Sequence, residues 1–129
     1  MGLITGTGDK REKGFTLVEL LVVLAVVVLL AGLAAPAVHT SIKKAEESVL
    51  KKNLQVLRKA LDDYYADRGR YPAVIEELAE KKYIRKIPED PVTGSISTWI
   101  LLESPEGGIY DIRSGAYEKS MEGDDYYDW

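Results

Sequence analysis

The sequence has no cysteine and a single histidine, His39, in 129 residues. Without cysteine there is no disulfide, no thiolate metal centre and no thiol nucleophile. His39 follows directly on a long apolar run, where an interfacial residue is expected, and no triad can be assembled around it. No glycine-rich phosphate loop follows a strand pattern, and no feature marks a buried, perturbed carboxyl as a general acid. These absences describe a protein that is not an enzyme. Positive charge is also in deficit, with 17 Lys and Arg against 21 Asp and Glu for a net charge of -4. Phosphate attraction requires clustered excess cations, so a nucleic-acid partner is excluded as well.

Charge is scarcest between Lys13 and His39, where Glu19 is the sole charged residue. The segment therefore supplies the roughly 20 apolar residues that a membrane-crossing helix needs. A carboxylate deep in a bilayer costs on the order of 3 kcal/mol on insertion scales, although Glu19 lies near one end of the run. Such a group calls for a cation, and the helix contains none. The partner must come from another molecule or from a new amino terminus. Cleavage of the Gly14-Phe15 bond creates that terminus four residues before Glu19.

Two plainer readings stand beside this one. A secretory signal peptide also has cations before its core, here Lys10, Arg11 and Lys13, and small residues at a cut site, here around Ala34 or Ala37. Its core is shorter than this run, and it has no use for Glu19. A plain single-span anchor accounts for the length and leaves Glu19 unexplained.

Gly14-Phe15-Thr16-Leu17-Val18-Glu19 resembles the processing signal of type IV pilins and of the pseudopilins of type II secretion. The resemblance implies that a prepilin peptidase cuts after Gly14 and methylates the new amino-terminal Phe15. Glu19 then neutralises the terminal amine of a neighbouring subunit during assembly. It further implies a homo-oligomeric helical filament, with minor pseudopilins and an inner-membrane assembly platform as partners. The protein would be a single-pass inner-membrane protein with its carboxyl-terminal domain in the periplasm. Residues 1–14 form the cleaved leader, 15–38 the transmembrane and assembly helix, and 39–129 a globular domain that includes the second half of the long helix. Within the membrane segment, Pro36 lacks the donor for the carbonyl of Gly32, itself a weak helix former, so a kink is expected there. By resemblance this stretch bends or melts when subunits pack.

Past Pro36 the helix is expected to continue. Ala45, Val49, Leu50, Leu54, Val56, Leu57, Leu61 and Tyr64 recur at spacings of three and four and mark one broad apolar face. Glu47 and Lys51 stand at i and i+4 in the order that favours an ion pair. Gly69 stops the helix, and Tyr71-Pro72 turns the chain. A short helix follows around Val74 to Ala79, then a proline-punctuated loop, Ile87 to Gly94. Ile96 to Leu102 and Gly108 to Arg113 read as antiparallel strands, with a third short strand near the carboxyl end. The fold class is α+β: a long helix packed against a short helix and a small antiparallel sheet. The Gly-x-Tyr-Pro turn and the Asp-Pro loop resemble the same features in major pseudopilins.

After Lys119 the tail carries no cation, yet it holds Glu122, Asp124, Asp125 and Asp128. Hard oxygen ligands of this kind suit calcium. By resemblance, Asp124 and Asp125 match the paired aspartates of a calcium loop, with Glu118 standing where the family has Pro-Asp-Gly. The alternative is a solvated acidic tail closed by Tyr126, Tyr127 and Trp129.

The function so implied is that of a pseudopilus subunit that helps move proteins across the outer membrane. A surface type IV pilus subunit and a membrane-anchored calcium-binding module are the alternatives.

Overall fold

The computed structural model describes Gly14 and residues 16–129. It divides into two units, one ending at Thr40 and the other running from Ser41 to Trp129. A single helix, α1 (Leu17–Arg68), contributes to both.

In the first unit, every described residue is exposed. Leu and Val side chains from Leu17 to Val38 stand roughly half to three-quarters accessible, with none of the described residues layered over them. The segment is rich in valine, a mediocre helix former in water, yet it is helical throughout. In hydrocarbon that is the required solution, because a helix satisfies every backbone polar group within its own segment. Pro36 lies inside the helix, which continues past it.

The second unit has one core. Leu50, Leu54, Leu57, Ala60, Leu61 and Tyr64 of α1 are at most 2 % exposed. Against them pack Ile75 and Leu78 around the short helix α2 (Glu76–Glu80), Trp99 just before the sheet, Ile109 and Ile112 within it, and Tyr126 near the carboxyl end. Burial of each large aliphatic side chain stabilises the fold by about 1.5–3 kcal/mol. Strands β1 (Ile100–Glu103) and β2 (Ile109–Arg113) pair antiparallel, with Ile100 opposite Arg113 and Glu103 opposite Ile109 across a bulge.

The connections are fixed by polar groups. Gly69 takes a left-handed φ of 68° and donates its N–H to the carbonyl of Tyr65, which ends α1 where expected. Gly108 has a φ of 86°, and a side chain there would meet the Tyr71 carbonyl at 2.7 Å. Only glycine lets the sheet approach the Tyr71-Pro72 turn closely enough for the Ile109 N–H to reach the Pro72 carbonyl at 2.8 Å. In the proline-punctuated loop, the buried Asp90 accepts from the Ser114 hydroxyl at 2.5 Å and from the Val92 N–H at 2.9 Å. Trp99 Nε1 donates to the Pro88 carbonyl, and Asn53 of α1 holds the carbonyl of Glu89. A loop so tied is rigid.

Three boundaries differ from the sequence expectation. The first strand begins at Ile100 rather than Ile96, because Ser95, Ser97, Thr93 and Thr98 bond to one another and to nearby backbone, which competes with a ladder. In place of a third strand, the described residues near the carboxyl end form an isolated bridge, Lys119 with Asp125, and a single 3-10 turn, Tyr126–Asp128. Ala45, Val49 and Val56, expected on the apolar face, are exposed, the two valines by 48 % and 36 %. Both valines line open surface grooves shared with Lys86 and Pro88, where the proline-punctuated loop covers α1 only in part.

Candidate assembly site and tail loop

Thr16 precedes α1 and caps it. Its side-chain oxygen accepts the N–H of Glu19 at 3.1 Å, and its carbonyl accepts the N–H of Leu20. Thr16-Leu17-Val18-Glu19 thus has the spacing of a capping box, with Glu19 at the third helical position. That signature was present in the sequence, beside the family motif, as an independent reason for a carboxylate there. An acid in the first turn also faces the positive end of the helix dipole. Gly14 is exposed, as is Thr16. Phe15, expected to become the new terminus, lies outside the described residues. Gly32 is exposed inside α1, with open space where a side chain would stand.

At the other end of the chain, a hairpin turn joins Lys119 to Asp125. Ser120 donates its N–H to the Asp124 carbonyl at 2.8 Å, and Gly123 donates its N–H to the Ser120 carbonyl. Lys119 Nζ lies 2.6 Å from Asp125 Oδ1. Asp124 is occupied on both oxygens, by the Ser120 hydroxyl on Oδ1 and by Trp129 Nε1 at 2.9 Å on Oδ2. Those two donors hold the Asp124 carboxyl below its ordinary range, the serine foremost. Glu118 is exposed. The expected set Asp124, Asp125 and Glu118 therefore does not converge, and no group of three such ligands forms among the described residues. A calcium ion needs six to eight oxygens around one point. Here the carboxylates already serve a lysine, a serine and an indole.

Sequence reasoning missed what anchors this hairpin. Glu47 does not pair with Lys51. Its Oε1 accepts the Met121 N–H at 2.7 Å and the Tyr126 hydroxyl at 2.9 Å, across more than 70 residues. Burial, seconded by that bond, pushes the Tyr126 hydroxyl well above its ordinary range. Lys51 instead stands 4.5 Å from the Trp129 ring centroid, and Trp129 meets Tyr126 edge-on. Arg58, also on α1, reaches Asp111 at 3.0 Å, the Ile112 carbonyl at 3.0 Å and the Trp129 carbonyl at 2.7 Å. No local pattern announces contacts of this range.

Comparison with known proteins places these features. The description "Prokaryotic N-terminal methylation motif" matches residues 9–35, the stretch that holds Gly14, Phe15, Glu19 and Gly32. Type II secretion system core protein G of Klebsiella pneumoniae is 32% identical over 121 residues, covering 81% of this chain and 84% of the relative. The chain belongs to the type II secretion core protein G family. Core protein G of Escherichia coli K12 is 29% identical over 92% of both chains, so the likeness extends through the soluble unit. Fimbrial protein EcpC of Eikenella corrodens is 36% identical over 62 residues, 48% of this chain and 40% of the relative. Core G proteins thus resemble this chain along its length, and the fimbrial relative over half of it. No solved structure matches it.

Proposed function

We propose that the chain is a structural subunit of a type II secretion pseudopilus and that it polymerises through α1 to help move proteins across the outer membrane. The likeness to core G proteins over most of the chain carries this reading. Its physical counterpart is the apolar half of α1, which none of the other described residues covers. In the membrane that surface faces lipid, and in a filament it faces the same helix of other copies. Contacts of one copy's surface with a different surface on the next propagate into a helical polymer.

Residues 1–14 act as a leader that prepilin peptidase removes, leaving Phe15 as a methylated amino terminus. Residues 15–38 span the inner membrane, and 39–129 stand in the periplasm. Glu19 sets the register, because an unpaired carboxylate or ammonium inside an apolar bundle is costly and each removes the other's penalty. Gly32 and Pro36 supply the place where the helix yields on packing. Minor pseudopilins and the assembly platform are the remaining partners. No residue performs catalysis; work comes from adding subunits.

The intact mass and amino-terminal sequence of protein recovered from its native membrane test this. A chain beginning at Phe15 and carrying one added methyl is the expected result. A chain beginning after Ala34 or Ala37 would mean an ordinary signal peptide and would overturn the filament reading.

A further inference from the structure

We infer that the carboxyl-terminal hairpin is locked by a cation belonging to the chain, the Lys119 ammonium, and not by a divalent metal. Glu118, Glu122, Asp124, Asp125 and Asp128 crowd one short segment, and like charges so close oppose a folded loop unless something positive is placed among them. A metal would need open carboxylate oxygens aimed at one point. In this hairpin the aspartates are turned apart. Asp125 Oδ1 takes Lys119 at 2.6 Å directly across the Lys119–Asp125 bridge, where facing residues of an antiparallel pair bring their side chains together. Asp124 takes the Ser120 hydroxyl and the Trp129 indole.

Every structural task that a bound ion could perform here has a protein group assigned to it. Lys119 neutralises the loop, and Ser120 holds the Asp124 carboxylate. The Trp129 indole closes the tail over it. Glu47 fastens the hairpin to α1 through the Met121 N–H and the Tyr126 hydroxyl. A lysine in this position has a consequence for assembly. A metal-held tail would make subunit folding depend on the ion concentration outside the inner membrane, whereas a lysine-held tail folds whatever that concentration is. The inference does not depend on the filament reading, since it concerns the fold of one subunit.

The test is amide hydrogen exchange on the full chain in detergent micelles, with calcium chloride or with chelator. The wild type is expected to show the same protection at the Ser120 and Gly123 amides in both conditions. Lys119→Met is expected to lower that protection by about two- to fivefold in both conditions, the worth of a half-exposed ion pair, and Lys119→Arg to keep it, while the amides of Leu57 and Ile112 report that the core remains folded. Saturable protection of the wild-type hairpin by calcium would overturn the inference and restore a metal site. Unchanged protection in Lys119→Met would also overturn it, because the lysine would then not be the lock.

Discussion

The two halves of α1 are built from similar residues and meet opposite fates. Between Leu17 and Val38, leucines and valines recur with no polar interruption except Glu19, and all of them are exposed. Between Leu50 and Tyr64, leucines recur every three or four residues among Lys, Arg and Asp, and those leucines, with Ala60 and Tyr64, are sealed under a sheet, a short helix and a tail. A helix that is apolar all round offers no side to its own domain, so its partners must be lipid or other chains. An apolar stripe selects one face and folds the rest of its chain onto it. One element therefore carries folding at one end and, on the proposed function, assembly at the other, and substitutions should separate the two.

The largest effect is expected from Glu19→Ala. Filament incorporation should fall to background in an assembly assay, because under the proposed pairing the amine of the neighbouring terminus is then left alone among apolar side chains. Thermal unfolding of the second unit should stay within about 0.5 kcal/mol of wild type, as for other substitutions away from a core. Efficient assembly of this variant would remove Glu19 from the mechanism.

Leu57→Ala reverses the pattern. Leu57 is fully buried in the core, so its truncation should cost about 2–5 kcal/mol. For a domain of this size that lowers the unfolding midpoint by about 10 °C or more, readable by circular dichroism in detergent. Val27→Ala, the same kind of truncation at a 55 % exposed site of the apolar half, should leave the midpoint within experimental error. Equal effects at the two positions would mean that the halves are not energetically separate.

How far the sequence could be read follows the same division. The membrane-length run, the processing motif, the amphipathic stripe and the Gly69 stop are local patterns, and all are written in consecutive residues. Leu50, Leu54, Leu57, Leu61 and Tyr64 were legible as core because burial repeats with the helical period. Val49 and Val56 were misassigned because period alone does not say how wide a face the rest of the chain can cover. The start of β1 was obscured by hydroxyl side chains whose choice between turn and ladder depends on their neighbours in space. Least legible were the long-range polar partners. Glu47 next to Lys51 by helical spacing suggests a local pair, but an exposed i,i+4 pair is worth only a few tenths of a kcal/mol, and two donors from the tail outcompete it. The acidic tail offered ligands by composition, while their direction was set by Lys119, Ser120 and Trp129.

The smallest expected effect comes from pH and acts in the packed half. The Tyr64 hydroxyl donates to Glu77 Oε2 at 2.5 Å, and Glu77 also accepts the Ala73 N–H, which pins the turn before α2 to α1. That hydroxyl, ahead of the backbone donor and Arg70, holds the Glu77 carboxyl below its ordinary 4.5, while burial and then Glu77 raise the Tyr64 hydroxyl above its ordinary 10.0. A carboxyl depressed in the fold contributes stability above its unfolded value and loses it as pH falls through the folded value; a phenol that is raised contributes below its unfolded value and loses it as pH climbs through the folded one. Stability should therefore be level between about pH 5 and 9 and fall on both sides. Glu77→Gln should flatten the acid limb only in part, since Asp124 is depressed too, and Tyr64→Phe should do the same for the alkaline limb, which Tyr126 shares. Denaturant unfolding at a series of pH values reads both limbs. An acid limb of unaltered slope in Glu77→Gln would show that the Tyr64 bond does not couple folding to the carboxyl.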